Sequence, residues 1–164
     1  MNGTNAIVSG LKSTQQLLAW YVGDFSDEDL LVRPVPEANH TAWQLGHLIG
    51  AEVGLLKPQD LTVNSPELPD GFLDKYTKET SVSDAKEDFL SKDAYLDLFN
   101  KCREANIAAV ESMSDADLDK PTQGNMAQFA PRLGDLFILM SNHILMHAGQ
   151  FTVVRRKLGK PVLF

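Results

Sequence analysis

"LFILMSNHILMHAGQFTVVRRKLGKP", residues 136 to 161, decides the fold. Its residues Leu136, Met140, His143, His147, Phe151, Val154 and Leu158 recur every three or four positions. That is the period of an α-helix with one buried stripe, since side chains three and four apart share a face. Gly159 and Pro161 then stop the helix. Two members of the stripe are histidines, four residues apart, at positions where Leu or Met would pack better. Burying a polar ring without a partner costs on the order of a few kcal/mol, so something must satisfy both.

Working outward, three more segments carry the same period, and none shows the β-branched alternation of a strand. The class is therefore all-α. Helix one places Ile7, Leu11, Leu18, Val22 and Phe25 on one stripe. Helix two opens at "HTAWQLGHLIGAEVGLLKP", where Thr41 and Gln44 read as a T-x-x-Q capping box and Pro58 marks the end. Helix three runs from about Ser91 to Met113, with Tyr95, Phe99, Cys102, Asn106, Val110 and Met113 inward. Helix four follows Pro131. At 164 residues the chain suits one domain, 1–164, with a full core.

Helices one and two repeat weakly as helices three and four. "SDEDL" at Ser26 matches "SDADL" at Ser114, and "LGHL" at Leu45 matches "LGDL" at Leu133, both at an offset of 88 residues. On that alignment Asp135 takes the place of His47. Residues 58 to 90 have no counterpart, and a connection of that length is commonly functional or mobile. Its Phe72 and Tyr76 can anchor it over a pocket as a partial lid, or simply against the bundle wall.

A net charge of -7 and a pI near 5.0 argue against nucleic acid, which is bound chiefly through Lys and Arg. The one basic cluster, Arg155-Arg156-Lys157, sits at a helix C-terminus, where cations suit the dipole. "MNGTNAIVSG" lacks the basic and apolar regions of a signal peptide, and no apolar run approaches the roughly 18 residues a membrane span needs. A soluble, cytoplasmic protein without membrane contact is expected. Cys102 is a single cysteine, read as a small buried hydrophobe in a reducing compartment.

Imidazoles four apart on a helix can share one ion, as in H-E-x-x-H sites, but H-x-x-x-H alone is a weak motif. His47 supplies a third donor. It lies mid-helix, with Trp43, Gly50 and Gly54 at nearly its angle. Gly46, Gly50 and Gly54 each cost helix stability, which points either to tight packing or to room for a substrate beside His47. Asn106 and Gln150 are the polar side chains expected to orient the ligands. Alternatively, the rings hydrogen-bond to those amides, to backbone or to buried water. His40, just ahead of the helix, reads as a loop residue. Asp135 and Glu52 sit away from the histidine angles.

"HTAWQLGHLIGAE", "LPDGFLDKY" and "HILMHAGQFTVVRRKLGKPVLF" together resemble the DinB-like superfamily, over most of the chain. The W-x-x-x-H-L and H-x-x-x-H-x-G-Q elements carry the resemblance. It implies an up-down-down-up four-helix bundle, with a long connection between helices two and three. It also implies a divalent metal on His47, His143 and His147, and does not imply DNA contact. Relatives of known chemistry are metal-dependent thiol transferases, isomerases and metal-binding domains of sulfur-oxidising synthases.

A three-histidine site keeps the full charge of zinc, nickel or ferrous iron and leaves positions open. The leading expectation is a metal-dependent transferase using a low-molecular-weight thiol, or a hydrolase, acting on a small-molecule substrate. The other is a non-catalytic metal-binding stress or interaction protein. Extra apolar stripes, Leu45, Ile49 and Leu56 on helix two and Ile138 and Leu145 on helix four, suggest a homodimer, with the 58–90 segment as the competing cover.

Overall fold

A computed structural model describes residues 1–163. It is all-helical, with no strand among the described residues. Among the described residues there are five α-helices: α1 Gly3–Val22, α2 Thr41–Gly54, α3 Lys92–Glu111, α4 Asp115–Leu118 and α5 Leu133–Lys157. The short α4 is the element that the four-segment reading lacks. Side-chain caps start the helices, since the first backbone N–H groups have no partner within a helix. The Asn2 side chain accepts from Asn5 N–H, and Ser91 from Ala94 N–H.

The paired "SD-x-DL" sequences are both capping structures. Ser114 and Asp117 bond reciprocally at the start of α4, and Ser26 and Asp29 do the same ahead of a 3-10 turn at Asp29–Leu31. Asp135, the counterpart of His47, also caps: it accepts from Arg132 N–H and side chain at the start of α5. The weak repeat therefore has a local physical cause in this half of the alignment.

α1 packs against α3 and α5, and α2 packs against the same two helices. One apolar cluster gathers Leu18, Val22, Trp43, Tyr95, Phe99, Ile144 and Phe151; another gathers Ile7, Leu11, Leu56, Val110, Leu136 and Met140. Buried polar side chains lie between them on three helices: Thr14 on α1, Glu52 on α2, Arg103 and Asn106 on α3. On α5 the buried His147 falls beside the first cluster, between Ile144 and Phe151.

α2 stops at Gly54, four residues before Pro58, and continues as hydrogen-bonded turns. Residues between α2 and α3 form 3-10 turns at Leu73–Tyr76, Thr80–Val82 and Lys86–Asp88. The first of them lies against α2 and the second against the first. The Tyr76 ring occupies the space of an absent Cβ at Gly46, only 2.1 Å from where that atom would stand. Its hydroxyl meets that of Tyr95 at 2.7 Å. Gly46 thus serves close packing rather than a vacancy, and Gly50 likewise faces Leu73. Phe72 and Tyr76 are both buried in the core.

Leu45, Ile49 and Leu56, expected as a surface stripe on helix two, are 1%, 0% and 4% exposed within the single chain. The apolar side chains of the connection help cover them, so these three form no exposed apolar stripe. The basic cluster occupies the last turn of α5, as expected. Arg155 is 3% exposed and forms a two-pronged ion pair with Asp24, while donating to the Tyr21 and Pro161 carbonyls. It ties the end of α5 to the end of α1.

Candidate metal centre

His47 reaches inward from the middle of α2, and His143 and His147 from successive turns of α5. His143 Nε2 lies 3.3 Å from His47 Nε2 and 3.2 Å from His147 Nε2. One ligand atom from each ring falls within 4.8 Å of the others. His47 and His143 are partly exposed; His147 is buried. The cluster therefore has a closed side at His147 and an open side at the other two rings.

Those separations can be tested against ligand geometry. Nitrogens bound tetrahedrally at about 2.0–2.1 Å from zinc stand roughly 3.3–3.4 Å apart. The two Nε2 separations from His143 match that edge. Hydrogen bonding alone fits less well. A neutral ring nitrogen carries either a proton or an in-plane lone pair, so a single N–H on His143 Nε2 would have to split between two acceptors. A cation would satisfy all three lone pairs once the rings close slightly on it, since the ligand atoms lie within 4.8 Å of one another, and the donor set fits a metal.

The electrostatics point the same way. Burial holds the His47 imidazole below its ordinary range. Burial plus the neighbouring rings holds His143 down to about 4 and His147 to about 3. All three are neutral at pH 7, with donor lone pairs free, as ligation requires.

The ring orientations have identifiable causes. Trp43, 5% exposed, stacks on His47 with ring centres 5.1 Å apart and planes 7° from parallel. Gln44 Oε1 lies 2.7 Å from His147 Nδ1, and Gln44 Nε2 donates to the Asn39 carbonyl at 2.8 Å. Gln44 is thus a partner of the imidazole cluster and does not cap the helix. The cap is His40, fully buried rather than in an open loop: its Nδ1 accepts from Trp43 N–H, and its Nε2 bonds the Ser83 carbonyl.

Asn106 and Gln150 are placed elsewhere. Gln150 is exposed on α5. Asn106 donates to the Glu52 carboxylate at 2.8 Å and to its backbone carbonyl at 3.1 Å. Arg103 holds the same carboxylate through Nε and Nη2, with both partners essentially buried, and donates to Thr14 Oγ1. Burial pushes the Glu52 carboxyl up while Arg103 and Asn106 pull it back. Arg103 had no sequence signal beyond lying one residue past Cys102. Cys102 is buried as expected, and burial pushes its thiol up to about 12, which suits packing rather than nucleophilic attack.

Comparison with known proteins agrees with the geometry. A family model described as the DinB superfamily matches residues 11–151, a span that holds all three histidines. No curated protein and no solved structure matches the chain.

Proposed function

The chain belongs to the DinB superfamily, and we propose on that footing that its four long helices form the family's metal-binding bundle, with one divalent ion on His47, His143 and His147. The observation that carries this reading is the convergence of three imidazoles whose ligand atoms lie within 4.8 Å of one another, two of the separations matching a tetrahedral edge. Zinc, nickel and ferrous iron all suit imidazole. Held by His47, His143 and His147, such an ion would supply Lewis acidity, enough to bring a bound water to a pKa of about 7 or to hold a thiol as thiolate.

The chain's own residues then divide the work. His147 lies on the closed side, buried against Gln44, and Trp43 backs His47. A small substrate approaches past His47 and His143, whose rings retain solvent exposure. The activity proposed is a metal-dependent transfer to or from a low-molecular-weight thiol, with hydrolysis as the outcome if water takes the thiol's place. The test is elemental analysis of tag-free protein, alongside the three single alanine variants, followed by a thiol–electrophile screen of the metal-loaded parent. One ion per chain, lost in each variant, is expected. Equal metal in parent and variants would overturn the site; stoichiometric metal without turnover would assign it to binding alone.

No helix is long and apolar enough to cross a membrane among the described residues. The assembly proposal narrows to α5. Ile138, Leu145 and Val153 are each about half exposed at 49%, 49% and 52%, along one side of that helix. A homodimer through this face is expected at micromolar concentration by sedimentation, and Leu145→Asp should return it to monomer.

A further inference from the structure

We propose that Gln44 is the positioning residue of the imidazole cluster: it fixes His147 in the Nδ1–H tautomer, so that the Nε2 lone pair faces His143 and any bound ion. The functional part of this inference rests on the metal reading above; the tautomer assignment does not.

The assignment follows from counting protons. A backbone carbonyl only accepts. The Gln44 atom 2.8 Å from the Asn39 carbonyl must therefore be the NH2 group. The opposite amide orientation would set two oxygens against each other at that distance. Oε1 accordingly faces His147 Nδ1, 2.7 Å away. An amide oxygen also only accepts, so Nδ1 carries the proton. A neutral imidazole has one N–H, which leaves the lone pair on Nε2, the atom 3.2 Å from His143.

The support for Gln44 is itself built in. Gln44 is 1% exposed, so water offers its amide little alternative partnership. It lies in the first turn of α2, where its own N–H bonds to the His40 carbonyl. His40 fastens that turn through Trp43 N–H and Ser83 O. The carbonyl that orients Gln44 therefore belongs to a pinned stretch of backbone.

The choice of amide over carboxylate has a chemical consequence. A carboxylate at this position would make His147 more basic and place a negative charge beside the ion. A neutral amide orients the ring while leaving the ion's charge undiminished, which suits a centre that must polarise a bound thiol or water.

Two readouts test this. The first is the nitrogen-15 spectrum of metal-free protein at neutral pH, which reports the His147 tautomer directly. Nδ1–H is expected in the parent and is expected to be lost or mixed in Gln44→Leu, which keeps volume but removes the acceptor. The second is zinc affinity measured by competition with a chromophoric chelator. Gln44→Leu should bind about 10- to 100-fold more weakly, the usual cost of losing an outer hydrogen bond to a ligand. Gln44→Glu keeps an acceptor for Nδ1 and should keep the Nδ1–H tautomer, at a cost in unfolding midpoint because its second oxygen then faces the Asn39 carbonyl that the Gln44 amide serves. A parental Nε2–H tautomer, or parental zinc affinity in Gln44→Leu, would overturn the proposal. A parent that binds no zinc removes the metal reading instead, and the tautomer still decides the assignment.

Discussion

Glu52 with Arg103 and the three imidazoles are two polar clusters inside one helical bundle, but the first group nearly closes on itself and the second does not. Arg103 meets the carboxylate with two nitrogens, Asn106 adds a third donor, and Thr14 accepts from the guanidinium. Asn106 Oδ1 is left without a partner, but the carboxylate and the guanidinium satisfy each other, so no ion is needed there. Among the imidazoles, by contrast, three nitrogens face one another, and the protons they carry cannot serve every contact. A closed polar cluster is structural. An open one, composed of good ligands at ligand separation, implies a partner from outside the chain.

The sharpest way to break that comparison is Arg103→Met, which strands the Glu52 carboxylate in the core. Removing one partner of a buried pair typically costs about 3–5 kcal/mol. Denaturant unfolding should show a loss of that size, with metal content unchanged. The double variant Glu52→Leu with Arg103→Met should recover much of the loss, because apolar replacement of a whole buried pair is often neutral or better. If Arg103→Met also abolished metal binding, the two clusters would be one functional unit and the distinction would fall.

The second effect concerns the open cluster. A ligand that binds only the native state stabilises it by about 2.7 kcal/mol at a hundredfold excess over Kd, and about 4.1 kcal/mol at a thousandfold. Chelator should therefore lower the thermal midpoint of the parent and leave His147→Ala unmoved. Arg103→Met should keep the full chelator response. A chelator effect of equal size in His147→Ala would mean that the ion sits elsewhere.

The same contrast explains what was legible in the sequence. His143 and His147 stand out because helical period alone puts them among Leu136, Met140, Phe151 and Val154, and His47 because α2 offers an imidazole little route to solvent. Arg103 and Glu52 do not stand out. Charged residues normally face water, and their pairing spans 51 positions with no local mark. Asn106 points inward as its spacing indicates, yet its partner is the carboxylate, a fact set by tertiary packing. Gln44 illustrates a degenerate local signal: T-x-x-Q suits a capping box, but His40 already supplies the cap, which frees the amide for His147. Gly46 could be seen as costly, while the ring that fills its space lies 30 residues along, at Tyr76.

The smallest expected effect is a pH dependence that separates the clusters without any substitution in the core. In metal-free protein, His143 and His147 have folded values of about 4 and about 3 against an ordinary 6.5, and His47 is also lowered. Between 6.5 and the folded values, the unfolded chain binds more protons than the native one. Stability must then rise with pH across that window, or equally fall on acidification from about 6.5 toward 4. Carboxylates lowered by ion pairs, such as Asp24 with Arg155 and Asp29 through Ser26 and Lys160, act lower, beginning near their ordinary 3.8. His40 is lowered as well and contributes to the upper window, opposed by its bond to Ser83. Denaturant midpoints measured with chelator from pH 7.5 to 3 should therefore decline, and His147→Gln should flatten the decline above pH 4 while leaving the acid limb below pH 4 in place. Zinc should steepen the parental decline, because protons and the ion compete for the same lone pairs. A decline that His147→Gln left unaltered, or a zinc-loaded profile parallel to the metal-free one, would show that the imidazoles are not the open cluster that their geometry indicates.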